Sequence, residues 1–490
     1  MPARNAPISM DPDAFRTAGH ALVDRIAAKL AALPEDKVTP NHALEEVRAL
    51  LGDDGMPAAG APAEGLLQEA AELVLENSLY NGHPKFMGYI TSSPSPIGML
   101  ADMLAAAVNP NVGGWVLSPV ATEMELQTIR WIAELLGFPT ECGGLLVSGG
   151  NMANFVGFLA ARKVKCPWNV REEGMAAKGL VPMAIFASKE THTWLQKAAD
   201  LFGFGTDSIF WIDSDENQRM DMAQLRNEVL RSVEEGWRPF LVVGSAGTVS
   251  TGAVDPLPEI ADLAAEFDLW FHVDGAYGAL ATISPDAPAD LKGISRADSV
   301  AFDPHKWLYA PLEAGCALVR NPNHLVETFG YRPSYYAINF DRTNFYEIGP
   351  QNSRGFRALK VWLGLRQAGR EGYEQMVGED IALARRLYDM VSKTPELEAK
   401  THGLSITTFR YVPAELAPKA DEPDVAERLD GLNRELLDAI NASGDAFLSN
   451  AIVDGRFYLR ACVVNFRTSE ADIDAIPEIV LREAKKLTEA

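Results

Sequence analysis

Cysteine is the scarcest informative residue in this chain. Four occur in 490 residues, Cys142, Cys166, Cys316 and Cys462, and no two form a CxxC pair. That spacing argues against a disulfide framework and against a thiolate zinc site, so no metal is expected. It fits small buried thiols in a reducing compartment. Positive charge is also in deficit: 44 Lys and Arg face 67 Asp and Glu, a formal net charge of -23. A nucleic-acid binder needs a basic footprint, so that class of partner is set aside. Long apolar runs are missing too. No stretch reaches the ~18 continuous apolar residues of a membrane helix. The opening "MPARNAPISMDPDAF" lacks the apolar centre of a secretory leader. These absences predict a cytoplasmic chain without membrane or nucleic-acid partners.

What is present is 47% hydrophobic, enough at this length for one large core and smaller appended units. "MDPDAFRTAGHALVDRIAAKLAALP" reads as a helix, with Asp11 as cap, Pro12 at its first position and Pro34 past its end. Phe15, Leu22, Ile26, Leu30 and Leu33 share one face, a stripe that should dock, with a second subunit as one candidate surface. "SPVATEMELQTIRWIAELLGFP" predicts a second helix, capped by Ser118, opened by Pro119 and stopped at Gly137.

A strand–helix rhythm follows. "GLLVS", "AIFAS", "SIFWI", "FLVVG", "LWFHV", "SVAF" and "CALV" are short apolar strands, and several are separated by amphipathic helical patterns. That alternation predicts a mostly parallel sheet covered by helices on both faces. After about residue 370, "LSITTFRYV" and "FYLRACVVNF" alternate as antiparallel strands do. The predicted organisation is an N-terminal helical dimerisation segment over 1–88, a large α/β domain over 89–370 and a small α+β domain over 371–490.

In open α/β sheets, ligands sit beyond the carboxyl ends of the strands. Three features fall there. "LLVSGGNMANF" is a strand, a Gly turn and a helix start, where Gly149 and Gly150 let backbone N–H groups approach an anion. It is neither a Walker loop nor a GxGxxG turn, and alone it is also an ordinary tight turn. "LWFHVDGAYG" ends a strand at Asp274, a carboxylate that needs a cation or donor opposite it. A cap, a structural ion pair, or a metal held with His272 are its alternative readings. "AFDPHKWLYA" places Lys306 in an otherwise buried run, where it either lays its stem on Trp307 or performs chemistry.

Together the three suggest one site. A Lys that loses its proton forms a Schiff base with an aldehyde. A carboxylate keeps a pyridine nitrogen protonated, and a helix start holds a phosphate. Pyridoxal phosphate needs that set. His192 in "SKETHTWLQK" is a candidate for the flat group over its ring; a surface or capping His is the plainer alternative.

"DPHKW", "HVDGAYG", "SGGNMAN" and "SPVATEMELQTIRWIAELLGFP" jointly resemble the group II pyridoxal-phosphate-dependent amino-acid decarboxylases, nearest to the aromatic L-amino-acid decarboxylases. The resemblance runs over nearly the whole chain. It implies fold-type I architecture, a homodimer with each site built from two chains, and conversion of an L-amino acid to amine and CO₂. It also implies roles. Lys306 would join the cofactor aldehyde, Asp274 would pair with the pyridine nitrogen, and His192 and Ala276 would cover the two ring faces. Gly150 and Asn151 would hold the phosphate, Thr248 would sit beside the cofactor, and His305 would line the site. Tyr335, with Tyr336 as its rival, would return a proton to Cα from a loop. Relatives with Phe there resemble aldehyde synthases.

The sequence departs from the animal enzymes at the substrate pocket. Tyr89 matches, but Asn81, Ile90 and Gly113 replace bulky aromatics, and Ser353 resembles phenol- or imidazole-handling relatives. That leans towards tyrosine or dihydroxyphenylalanine. Asp303 stands where the animal enzymes have Asn; it is expected to face backbone donors or a cation rather than a phosphate. An aminotransferase clamping a carboxylate with Arg460 or Arg467, a glutamate-type decarboxylase and a non-catalytic interaction protein are the competing readings.

Overall fold

The structure, a computed structural model, describes residues 6–176, 181–331 and 342–489. Three helices lead in: α1 (Pro12–Ala32), α2 (Leu44–Leu51) and α3 (Ala63–Asn77). Asp11 caps α1 by accepting the N–H groups of Asp13 and Ala14, each at 3.0 Å. The α1 stripe packs partly on α3 and ends at buried Leu33, while Phe15 remains 59% exposed. Next come α4 (Pro96–Val108) and α5 (Pro119–Leu135). Pro119 opens α5, but Ser118 does not cap it. Its hydroxyl instead donates to the Asn111 carbonyl at 3.0 Å, closing the preceding turn.

All seven segments expected as strands of the large domain form them: β1 (Gly143–Val147), β2 (Met183–Ser188), β3 (Ile209–Ile212), β4 (Arg238–Ser245), β5 (Trp270–Asp274), β6 (Ser299–Phe302) and β7 (Gly315–Val319). They lie in one sheet, ordered β1-β7-β6-β5-β4-β2-β3. Neighbours from β6 through β3 are parallel, and β7 is antiparallel to both β1 and β6. The reason is the connection. Parallel neighbours need a crossover, usually a helix. Residues 303–314 contain no helix and turn back at the end of β6. Lys306 rides on that returning loop.

Around the sheet lie α6 (Gly150–Lys165), α7 (Val170–Glu173), α8 (Trp194–Leu201), α9 (Met222–Glu234), α10 (Leu257–Glu266) and α11 (Asn323–Phe329). The core between the layers is continuous. Phe186, Phe271 and Phe302 are buried in it, each contributing roughly 1.5–3 kcal/mol relative to exposure. The long α12 (Ala358–Val391) leaves this region, with a kink where Gly369 takes φ 64°.

A second sheet holds β8 (Leu397–Gly403), β9 (Ile406–Tyr411), β10 (Ser449–Val453) and β11 (Arg456–Cys462), in the antiparallel order β10-β11-β9-β8. It packs with α13 (Pro423–Ser443) and α14 (Glu470–Glu489) around a smaller core of Phe409, Leu436, Leu459 and Val480. No helix among the described residues is long and apolar enough to cross a membrane.

Candidate active site

The loop after β6 shows why a Lys sits in a buried run. The side chains of its neighbours Trp307 and Tyr309 are anchored in the core, and its amine is not. Trp307 is fully buried, stacks on Tyr277 at 5.0 Å between ring centroids, and donates its indole N–H to Asp380 of α12 at 2.8 Å. The Tyr309 hydroxyl donates to the same carboxylate oxygen at 2.7 Å. Burial pushes the Asp380 carboxyl up to about 7, against the lowering effect of these two donors. Trp307 is thus committed to the core, while Lys306 lines the cavity on the other side of the loop. The Lys306 ammonium lies 3.3 Å from Asp303 Oδ2.

Asp303 is 2% exposed, and its Oδ2 is also 3.6 Å from His305 Nε2. It faces a cation, as expected. Its Oδ1 is buried without a hydrogen-bond partner among the described residues. His305 accepts the Ala314 N–H at Nδ1, 3.2 Å, leaving Nε2 to carry the proton in the neutral ring. Burial lowers the His305 pKa, and the Asp303 carboxylate opposes that shift.

Asp274 closes β5 at the carboxyl edge of the sheet. Its Oδ2 accepts the Trp194 indole N–H at 2.7 Å, and its Oδ1 accepts the Ala276 N–H at 3.2 Å. Trp194 stands outside the site residues expected from the sequence. The signal was its position two residues after His192 at the start of α8, since a buried indole N–H needs an acceptor. His192 accepts the Trp194 N–H at Nδ1, 3.3 Å. Its surroundings push the ring below the ordinary imidazole value, burial first, although the residue is open to the cavity in the single chain. His272 does not join Asp274. Its nitrogens are spent on Ser299 and Asn154, each at 2.7 Å, and burial pushes it down to about 4. It is a satisfied core histidine, and no metal-ligating cluster occurs among the described residues.

The turn after β1 completes the site. Gly149 adopts φ 125°, a conformation side chains disfavour, and a Cβ on Gly315 of β7 would lie 2.5 Å from its carbonyl carbon. A Cβ on Gly150 would meet Asp303 Oδ2 at 2.7 Å and the Ala276 methyl at 3.2 Å. Glycine therefore leaves the α6 N-terminus, with its free N–H groups, open to the cavity.

Every residue expected to hold the cofactor lines one cavity of about 520 Å³: Gly150, Asn151, His192, Thr248, Asp274, Ala276, His305 and Lys306. Amine, carboxylate and helix start together fit pyridoxal phosphate. Glu190 also lines it, with its pKa raised by burial against a hydrogen bond from Ser250. Of the expected substrate pocket, Ile90 lines this cavity; Tyr89, Asn81, Gly113 and Ser353 do not. Gly113 is sealed, since a Cβ there would lie 2.0 Å from the Asn352 carbonyl oxygen. Arg460 and Arg467 lie elsewhere too, on the Tyr89 carbonyl and on Ser93. Tyr335 and Tyr336 fall outside the described residues.

Residues 45–412 match the family described as the pyridoxal-dependent decarboxylase conserved domain. An aromatic-L-amino-acid decarboxylase of Bacillus atrophaeus is 32% identical over 471 residues, 95% of this chain and 94% of that protein. A phenylacetaldehyde synthase of Arabidopsis thaliana is 29% identical over 98% of this chain and 97% of its own length. The crystal structure of Oryza sativa TDC with PLP and tryptamine superposes with a TM-score of 0.90 at 28% identity, covering 99% of this chain and 100% of that one. The amine, carboxylate and anion turn thus stand on a fold-type I scaffold, and the chain belongs to the group II pyridoxal-phosphate-dependent amino-acid decarboxylases.

Proposed function

We propose that the substrate is an aromatic L-amino acid, tyrosine or dihydroxyphenylalanine first, converted to its amine and CO₂. The observation that carries this is the single cavity joining Lys306, Asp274 and the α6 N-terminus, in a chain whose relatives include an aromatic-L-amino-acid decarboxylase. Pyridoxal phosphate supplies an aldehyde that takes an amine and a ring that accepts the electron pair released as CO₂ leaves. Lys306 Nζ would hold that aldehyde until the substrate amine displaces it. Asp274, aimed by Trp194 and Ala276, would keep a proton on the ring nitrogen. His192 and Ala276 would cover the ring faces, and Gly150 and Asn151 would take the phosphate. Thr248 would sit beside the ring, its hydroxyl 3.0 Å from that of Thr251. His305 would border Lys306, and Tyr335 would protonate Cα.

CO₂ release scored on tyrosine, dihydroxyphenylalanine, tryptophan, phenylalanine, histidine and glutamate tests the assignment. Turnover confined to glutamate or histidine would refute it. The phenylacetaldehyde synthase relative supports aldehyde synthesis as a second reading. Tyr at both 335 and 336 favours the amine, and Tyr335→Phe should shift product towards aldehyde. An unchanged amine yield would remove Tyr335 from that role and leave Tyr336.

We also infer a homodimer. On α4, Leu100, Met103, Leu104 and Val108 are each at least half exposed, as are Val116, Leu117 and Val120 soon after it in the chain. Large apolar side chains left exposed in such number favour cover by a second copy. Tyr89 and Ser353, exposed in the single chain, are assigned to the surface the second copy covers. The division at 370 is supported by the separate small core and the Gly369 kink, and the one at 88 by the three leading helices. Four free cysteines support a reducing compartment, taken to be the cytoplasm.

A further inference from the structure

We propose that Asp303 sets how tightly this enzyme keeps its cofactor, pairing with the Lys306 amine before attachment and opposing the phosphate afterwards. The inference rests on the assignment of Lys306 as the attachment point. Four observations carry it. Asp303 is 2% exposed, so water screens its charge little. Its Oδ2 reaches the Lys306 ammonium at 3.3 Å, and its Oδ1 has no hydrogen-bond partner among the described residues. The same Oδ2 stands 2.7 Å from the place a Cβ would take on Gly150, at the open start of α6. The carboxylate thus borders both the amine that must react and the helix start that must take an anion.

The chemistry makes these roles conflict. Attachment forms a C=N bond at Nζ, breaks the aldehyde C=O and releases water. The ammonium gives up its three protons, two into that water and one to solvent. An ammonium held by Asp303 must therefore leave its ion pair before it reacts. The phosphate then brings further negative charge to the α6 N-terminus beside a carboxylate lacking a donor on Oδ1. The helix start attracts the phosphate; Asp303 subtracts from that attraction. His305 Nε2 also borders Asp303, and at 3.6 Å it makes no hydrogen bond.

Asp303→Asn tests this, because the amide keeps the shape, drops the charge and adds a donor. Wild type and variant, stripped of cofactor, are titrated with pyridoxal phosphate and with pyridoxal, which lacks the phosphate. The variant should bind pyridoxal phosphate about tenfold more tightly, equivalent to ~1.4 kcal/mol. With pyridoxal the gain should be smaller, since only the release of the Lys306 pair then remains. The stripped variant should also melt below stripped wild type, having lost the Lys306 pair. If the amide variant does not fold, Asp303→Ser is held to the same predictions. Equal or weaker phosphate-dependent binding by the variant would overturn the inference and leave Lys306 untouched. A wild type that takes up cofactor without attaching it at Lys306 would overturn the assignment beneath it as well.

Discussion

Replacing Trp194 by Phe would remove one hydrogen bond and little else. Trp194 is fully buried at the start of α8, and its indole N–H reaches Asp274 Oδ2 at 2.7 Å. The Phe ring retains much of the packing, including the edge contact with His272. The Ala276 N–H remains on Asp274 Oδ1 at the longer distance of 3.2 Å. A hydrogen bond to a charged group contributes roughly 1.5–3 kcal/mol. If that energy aims the carboxylate at the pyridine nitrogen, its loss lowers kcat by roughly tenfold to a hundredfold. KM should move far less, since the substrate does not touch Trp194. The assay is CO₂ release at saturating cofactor, with bound cofactor quantified on the same sample and melting temperature recorded beside it. A fully loaded, folded variant with wild-type kcat would refute the reasoning and reduce Trp194 to core packing.

Two further outcomes follow from buried charge. Glu125 accepts the Leu146 N–H at 2.8 Å and pairs with Arg354, which also donates to the Val112 and Leu146 carbonyls. Both side chains are at most 1% exposed, so Glu125→Ala strands a buried guanidinium and should cost about 3–5 kcal/mol in denaturant unfolding; a loss below ~1 kcal/mol would contradict the pairing. Asp380 is raised to about 7 in the fold from an unfolded value of ~3.9, so the native state binds the extra proton between them. Its contribution to stability is therefore full at low pH and falls as pH rises through that window, by up to roughly 4 kcal/mol. Asp380→Asn should flatten that part of the stability–pH curve relative to wild type, and parallel curves would contradict it.

The large domain was readable because its strands are short, apolar and bounded by turns, so β1 to β7 declare themselves one by one. The small domain was half readable. β9 and β11 are well buried, whereas β8 is largely half-buried and carries the charges of Glu398 and Lys400, and β10 has five residues. Neither gives a clear apolar alternation. Helix starts divided in the same way. Asp11 caps locally and was found; Ser118 makes its bond to Asn111, seven residues back, which no local pattern reports. Lys306 and Asp274 stand out in the sequence because charge beside a buried strand is anomalous, whereas His192 is marked only as the flat group that the expected cofactor would want. Their supports do not stand out. Trp194 and Asp380 act across 80 and 73 residues of sequence, and only the folded sheet brings them into reach. The substrate pocket was the least legible part, because Tyr89 and Ser353 lie on the outside of the single chain.

The most direct measurement is borohydride reduction of the cofactor-loaded protein, followed by peptide mass spectrometry. The account predicts one pyridoxyl adduct, on the peptide carrying Lys306, and none in Lys306→Ala. An adduct on another lysine, or loaded protein with none at position 306, would contradict it.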